Sequence, residues 1–280
     1  MTTRQTIFVL RQIALAGLCL PVLHLAWRWW TDDLGPRPVT LATHVTGDWA
    51  AVFLLLSLSL TPARAVFDWM PLMQIRRRIG VAAALYAVLH LLIYAADQKW
   101  NLIVVTLEIV KRFYLTIGFV ALLMMIALAV TSTDGWQQKL RLNWKRLHRL
   151  AYPATILALL HFFIQSKANV GEATVAAGLF TWLMLWRALP QKFAVSFAGL
   201  FALAIAATVA ALAYELAWYG LVNKVDPLRI LNADLNLELF PRPVHKVLLA
   251  SLAVIVLAGL RRGTKHLFTK RYSRQTISTS

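Results

Sequence analysis

The chain has 280 residues, of which 59% are hydrophobic and 15% charged, and its formal net charge at pH 7 is +17. Soluble domains contain roughly 45–50% apolar residues, so the composition excludes an ordinary soluble protein and predicts an integral membrane protein. The positive charge does not indicate a nucleic-acid partner, because the basic residues sort by loop as they do in membrane proteins. The lipid bilayer is the expected environment.

Apolar windows follow one another along the chain. A helix needs roughly 17–25 apolar residues to cross a hydrocarbon core of about 30 Å. Eight such windows lie near 8–29, 45–62, 79–97, 113–132, 147–165, 172–189, 194–218 and 244–260. The first resembles a secretory signal, but its apolar character continues to Trp30, which is too far for a signal peptide. We therefore predict an all-α protein with eight membrane spans.

The distribution of basic residues predicts the orientation. With the N-terminus inside, the inner segments carry about nineteen of the 29 Lys and Arg residues. Inner loops of membrane proteins carry this excess of Lys and Arg. Both termini are therefore expected in the cytoplasm.

The chain is expected to have two parts. Short polar connections separate the first six spans, whereas a longer outer loop at 219–243 separates the last two. We place the boundary near Pro190, so that 1–190 forms a six-span domain and 191–280 a two-span extension with an outer loop and a cytoplasmic tail. The sequence has no nucleotide-binding motif, and Cys19, the only cysteine, excludes an intrachain disulfide.

Two histidines lie within predicted spans. An ionisable side chain at membrane depth is costly, so His90 and His161 are candidates for a functional site. Both spans run outward, and each histidine lies about 11–14 residues into its span, at similar depth in the outer half of the bilayer. Two imidazoles at one depth suit the two axial positions of a haem iron, which favours electron transfer over oxygen binding. A hydrogen bond between helices is the alternative.

Other candidates lie outside this pair. His148 stands at the inner end of the fifth span, but the position fourteen residues before His90, where a partner for it would be expected, is Arg76, which cannot bind iron while charged. Arg76, Arg77 and Arg78 suit haem propionates, a flavin phosphate or lipid headgroups, with a positive-inside anchor as the alternative. His44 is a further candidate cofactor contact, although a helix cap formed by its neighbours Thr46 or Asp48 is the stronger interpretation of that segment.

Seven segments carry a resemblance to a known family. They are HVTGDWA at 44–50, LTPAR at 60–64, RRRIG at 76–80, LHLLIYA at 89–95, KRFYLTIG at 111–118, ALAVTST at 127–133 and WKRLHRLAYPATILALLHFF at 144–163. In this order they resemble the haem-binding membrane subunit of the periplasmic protein-methionine-sulfoxide reductase system, the MsrQ (YedZ) family, within the ferric-reductase-like transmembrane group. The resemblance covers about residues 5–189 and implies a six-helix ferric-reductase-like haem-binding bundle. The two spans after Pro190 are a departure.

The resemblance also implies a function. It makes His90, His148 and His161 the haem-associated histidines of a redox subunit in the bacterial inner membrane, which is not a stand-alone catalyst. The implied cofactor is one haem b, or two, and an FMN is also attributed to the family. Electrons would come from quinol or a cytoplasmic flavin reductase. They would reach a periplasmic molybdopterin-containing methionine-sulfoxide reductase subunit that repairs oxidised envelope proteins.

Two other functions stay open. A transmembrane ferric or cupric reductase would pass electrons directly to a metal ion, although no outer cluster of acids or methionines suggests such a substrate. A transporter would use His90 and His161 as a proton relay, but Asp97 and Glu108 fall outside the spans and cannot complete it.

Overall fold

The computed structural model describes the backbone of residues 3–277 and the side chains of residues 4–264 except Leu237. Within these residues all regular structure is helical, which confirms the predicted all-α class. The end of the predicted cytoplasmic tail lies outside the described residues. Two compact units can be distinguished, one formed by residues 1–60 and 71–167 and the other by residues 61–70 and 168–280. The predicted boundary near Pro190 therefore falls within the second unit.

The first unit contains most of helix α2 and all of seven others. The helices are α1 Thr3–Trp30, α2 Pro38–Phe67, α3 Met73–Asp97, α4 Leu102–Lys111, α5 Phe113–Val130, α6 Asp134–Leu140, α7 Leu142–Leu147 and α8 Ala151–Ser166. Helix α5 packs against α8, α3 and α4, and α1 packs against α3. A core cluster at the centre includes Phe53, Tyr86 and Met125.

The second unit is built around three long helices. It contains α9 Gly171–Ala188, α10 Gln191–Ala194, α11 Phe197–Leu221, α12 Pro227–Leu235 and α13 Pro243–Ile277. Helices α9, α11 and α13 all pack against one another, and α12 packs on α11. Gly178 lies where α9 is in close contact with both partners, since an added Cβ would be 2.8 Å from Val247 and 3.0 Å from Ala211.

Seven helical segments among the described residues are long and apolar enough to cross a membrane. They are Arg4–Trp30, Pro38–Phe67, Met70–Asp97, Phe113–Val130, Leu142–Ser166, Phe197–Leu221 and Pro243–Thr264. The chain is therefore a multi-pass membrane protein. The predicted span at 172–189 forms α9 but is not among the seven, because Glu172 and Arg187 lie near its ends and reduce its apolar character. Much of α9 is instead buried inside the second unit.

The fifth predicted span is not one continuous α-helix. It consists of α7, a 3₁₀ turn at His148–Leu150 and α8. Pro153 in the first turn of α8 has no N–H, and its ring would clash with the carbonyl of Arg149 in a continuous helix. The interruption therefore falls where the proline requires it, and it separates His148 from the helix that carries His161.

A tyrosine of α3 joins α1 by inserting its hydroxyl into the helix backbone. The Tyr86 hydroxyl donates to Leu18 O over 2.8 Å and accepts from Val22 N–H over 3.0 Å. Both backbone groups lie near Pro21, which cannot donate. Tyr86 lies one turn before His90, so this contact fixes α1 against the helix that carries the histidine.

Replacing Tyr86 with phenylalanine is expected to lower the free energy of unfolding by about 1–3 kcal/mol, because two backbone groups lose their partner inside an apolar environment. Thermal unfolding in detergent measures the change. Tyr94→Phe, two turns further along α3, is the control, since the Tyr94 hydroxyl makes no hydrogen bond with the described residues. Equal melting temperatures for the two variants would show that the Tyr86 bridge contributes nothing.

Candidate functional site: a paired-histidine centre

The structure places His90 of α3 and His161 of α8 side by side. Their ring centroids are 6.2 Å apart, and their planes cross at 83°. Both side chains are partly buried within the first unit. The two histidines that the sequence placed at one membrane depth therefore also face each other.

Each imidazole is oriented by a backbone carbonyl of a neighbouring helix. Nδ1 of His90 lies 2.8 Å from Thr43 O, and Nδ1 of His161 lies 2.8 Å from Tyr114 O. A carbonyl only accepts, so in each neutral ring Nδ1 carries the proton and Nε2 keeps a lone pair. This is the arrangement by which proteins fix the tautomer of a metal-binding histidine. Nε2 of each ring makes no hydrogen bond with the described residues.

A glycine lies against each ring. An added Cβ on Gly47 would be 2.9 Å from Nδ1 of His90, and one on Gly118 would be 2.7 Å from Nδ1 of His161. Each glycine follows its carbonyl residue by four positions, so the two lie on the same face of a helix. Only glycine therefore lets the ring approach the helix backbone closely enough for the hydrogen bond.

The two halves of the site repeat in the sequence. Each histidine follows its carbonyl partner by 47 residues. Tyr114, Gly118 and His161 each lie 71 positions after Thr43, Gly47 and His90. The histidines also share the pattern A-x-L-H-x-x-I, at 87–93 and 158–164. The glycines and carbonyl residues were not among the predicted site residues, and this recurrence is the signal that identifies them.

His148 does not join the pair. Its ring stacks on Trp144, with centroids 3.8 Å apart and planes at 25°. Nδ1 lies 3.1 Å from Trp144 O, and Nε2 lies 3.4 Å from the Ser132 hydroxyl. The residue 71 positions before His148 is Arg77, so the repeat provides no second imidazole for an equivalent inner pair.

The three consecutive arginines differ in their contacts. Arg77 forms an exposed ion pair with Asp134, and Arg78 donates to Arg11 O over 3.2 Å. Arg76 is exposed and makes no hydrogen bond or ion pair with the described residues. Of the triplet, Arg76 is therefore the guanidinium with the most donors available to an anionic group.

His44 is exposed on α2, and the predicted helix cap beside it is wrong. Helix α2 begins at Pro38, so Thr46 lies well inside it and its hydroxyl donates back to Ala42 O over 2.8 Å. Proline is favoured in the first turn of a helix because its missing N–H has no helical partner there. Pro38 therefore favours a helix start well before the predicted cap.

The geometry of the pair fits a haem. Two imidazole–metal bonds of about 2 Å, with about 1 Å from each nitrogen to its ring centre, place the ring centroids about 6 Å apart. The observed 6.2 Å agrees with this value. The described residues contain no group of three or more His, Cys, Asp or Glu side chains suited to a metal ion. Two ligands alone suit a metal that brings its own equatorial ligands, as haem iron does.

These features define a class: a multi-pass helical membrane protein with a paired-imidazole centre. Residues 46–159 match the family model described as ferric reductase like transmembrane component. The chain belongs to the family of protein-methionine-sulfoxide reductase heme-binding subunits, MsrQ, as its similarity to curated members shows.

Three members illustrate the extent of the similarity. The subunit of Xanthomonas oryzae pv. oryzae (strain MAFF 311018) is 38% identical over 193 residues, covering 66% of this chain and 88% of the relative. That of Xanthomonas campestris pv. campestris (strain 8004) is 40% identical over 179 residues, covering 61% and 82%. That of Rhodospirillum rubrum is 40% identical over 184 residues, covering 65% and 88%. No solved structure matches the chain significantly.

Replacing Gly118 with alanine is expected to lower the free energy of unfolding by about 1–3 kcal/mol, because the new methyl group overlaps the His161 ring. Gly47→Ala should act in the same direction on His90. Gly17→Ala is the control, since nothing lies within 4 Å of its Cβ position. Thermal unfolding in detergent gives the comparison, and a Gly118→Ala melting temperature equal to that of Gly17→Ala would show that the close approach is not required.

Proposed function

We propose that the chain is a membrane electron-transfer subunit that holds a haem b between His90 and His161. The observation that carries this proposal is the paired geometry of the two rings, 6.2 Å apart with both Nδ1 atoms on backbone carbonyls. The name of the relatives, heme-binding subunit, supports it.

The protein residues would do three things at this centre. His90 and His161 would hold the haem iron through their Nε2 lone pairs. The carbonyls of Thr43 and Tyr114 would hold the tautomers and raise the basicity of the rings. The apolar helices would exclude water and so influence the reduction potential. When bound, the haem supplies one-electron transfer without an open iron position for oxygen.

The proposed partner is the catalytic subunit of a methionine-sulfoxide reductase, because the relatives are named as subunits of that reductase. We propose that the partner is the periplasmic molybdopterin subunit and that the donor is quinol or a cytoplasmic flavin reductase. The proposed setting is the bacterial inner membrane with both termini in the cytoplasm, supported by the excess of Lys and Arg in the predicted inner segments.

The inner-side candidates keep a separate proposed role. We assign His148, stacked on Trp144, and Arg76 to the side where electrons enter, with a second haem as the alternative for His148. The free donors of Arg76 suit a haem propionate or the phosphate of an FMN. FMN remains an implication of the family resemblance.

The paired geometry favours electron transfer over a proton relay. A relay requires a ring nitrogen to release its proton to a group that can pass it on. The Nδ1 proton of each ring is instead held by a peptide carbonyl, which does not titrate in this range. The remaining nitrogen of each ring makes no hydrogen bond with the described residues.

Loss of either axial ligand should be visible in the absorption spectrum. In His90→Ala and His161→Ala, we expect the low-spin b-type spectrum of the dithionite-reduced protein to be abolished, because one imidazole leaves the iron incompletely ligated. His148→Ala should have a smaller effect or change the haem content per chain. His24→Ala, an exposed histidine on α1, is the control and should keep the wild-type spectrum.

A complete low-spin spectrum in His161→Ala would contradict the pairing. A colourless but folded wild-type protein would exclude both the electron-transfer role and the metal-reductase alternative, and would leave the transporter. Electron flow to a co-expressed molybdopterin reductase, measured in membranes, tests the proposed partner separately from the ligands.

A further inference from the structure

One arginine in the second unit holds two buried carboxylates. Arg242 Nη2 donates to Glu215 over 2.7 Å, and Arg242 Nε donates to Asp234 over 2.5 Å. Glu215 is 2% exposed and lies in the membrane-spanning helix α11, while Asp234 is 5% exposed and lies in α12. The cluster therefore joins the loop helix α12 and the start of α13 to α11.

The second oxygen of each carboxylate is unpaired within the described part of the chain. Glu215 Oε2 and Asp234 Oδ2 are buried and make no hydrogen bond with the described residues. A buried charge without a partner is costly, and a buried acceptor without a donor is costly as well. Two ionised carboxylates and one guanidinium would also leave one net negative charge inside the protein.

Neighbouring groups do not balance this charge. Burial lowers the pKa of Arg242, but the hydrogen bond and charge of Asp234, with the charge of Glu215, outweigh it and hold that pKa above its ordinary value. Arg242 therefore already contributes its full positive charge.

The other titratable groups around the cluster make hydrogen bonds or ion pairs with groups other than the two carboxylates. Tyr219 donates to Ala168 O, and Nδ1 of His245 accepts from Arg242 N–H. Lys246, on α13, pairs with Glu172 of α9 at the surface. No further cation among the described residues reaches the two carboxylates.

We infer that Glu215, Asp234 and Arg242 form a proton-binding site in which Glu215 holds one proton. The proton comes from water and is bound by Glu215 Oε2, so that the site changes from a net charge of −1 to neutral and no electron moves. Both carboxylates accept from the single guanidinium of Arg242, which balances only one negative charge.

The bound proton would stabilise the contact of the loop helix α12 with the membrane-spanning helix α11. In the protonated site, the charge of Arg242 balances that of Asp234, and Glu215 is a neutral acid. Loss of the proton restores a buried charge between α11, α12 and α13. The folded protein then binds more protons than the unfolded chain, so its stability falls as pH rises through the range in which the proton is released.

Thermal unfolding of the full-length protein in detergent, at pH values from mildly acidic to mildly alkaline, tests the site. The wild-type melting temperature should fall as pH rises. In Glu215→Gln and in Asp234→Asn, an uncharged amide removes one of the two carboxylates, and the remaining carboxylate keeps its pairing with Arg242. Each single variant should therefore lose most of this pH dependence and equal or exceed the wild type at alkaline pH.

Two further variants complete the design. The double variant leaves Arg242 without an ionic partner and should melt at lower temperature at every pH. Lys246→Gln breaks the exposed pair with Glu172 and should keep the wild-type pH dependence. Single variants that retain the wild-type pH dependence would overturn the inference.

Infrared spectroscopy provides a second readout if a variant does not fold. The wild type at neutral pH should show the carbonyl stretch of a protonated carboxylic acid, and Glu215→Gln or Asp234→Asn should remove it. Absence of that band in the folded wild type would show that both carboxylates are ionised and would also overturn the inference. Neither readout depends on haem binding.

Discussion

The hydrogen bond from each imidazole Nδ1 to a backbone carbonyl is the interaction on which the paired site depends. It fixes the tautomer, so that both Nε2 lone pairs are available, and it fixes the ring position relative to a helix other than the one that carries the ring. The bond is only formed because glycine lies four residues after each carbonyl. The packing of the helices, the position of the glycines and the availability of the Nε2 lone pairs are therefore all linked to these two hydrogen bonds of 2.8 Å.

The 71-residue recurrence gives the site approximate internal symmetry. Helices α2 and α3 supply one carbonyl, glycine and histidine, and helices α5 and α8 supply the other set. In the proposed function, these two similar half-sites would present two equivalent ligands to one metal. The repeat does not extend to His148, because the residue 71 positions before it is Arg77. The paired site is therefore approximately symmetric, whereas the inner side is not.

The sequence alone predicted the class and the position of the pair. Membrane helices are recognisable because the bilayer imposes their length and apolarity, and His90 and His161 stand out because polar groups are rare at that depth. The partner carbonyls could not be predicted, since any residue supplies one and only packing selects Thr43 and Tyr114. The start of α2 and the interruption at His148–Leu150 were not predicted. Their positions are determined by Pro38 and Pro153, whereas the predicted spans were placed from apolar residues alone. Glu215 was missed because its partners lie in a loop distant in sequence.

Electron paramagnetic resonance of the oxidised wild-type protein, grown with ¹⁵N-labelled histidine, tests the paired-histidine centre most directly. Two imidazoles on one iron predict a low-spin signal with hyperfine coupling to nitrogens of two histidines. Ring planes at 83° predict that this signal is strongly anisotropic, because perpendicular ligand planes leave two iron orbitals nearly equal in energy. A high-spin signal, or coupling to a single histidine, would contradict the proposed ligation by His90 and His161.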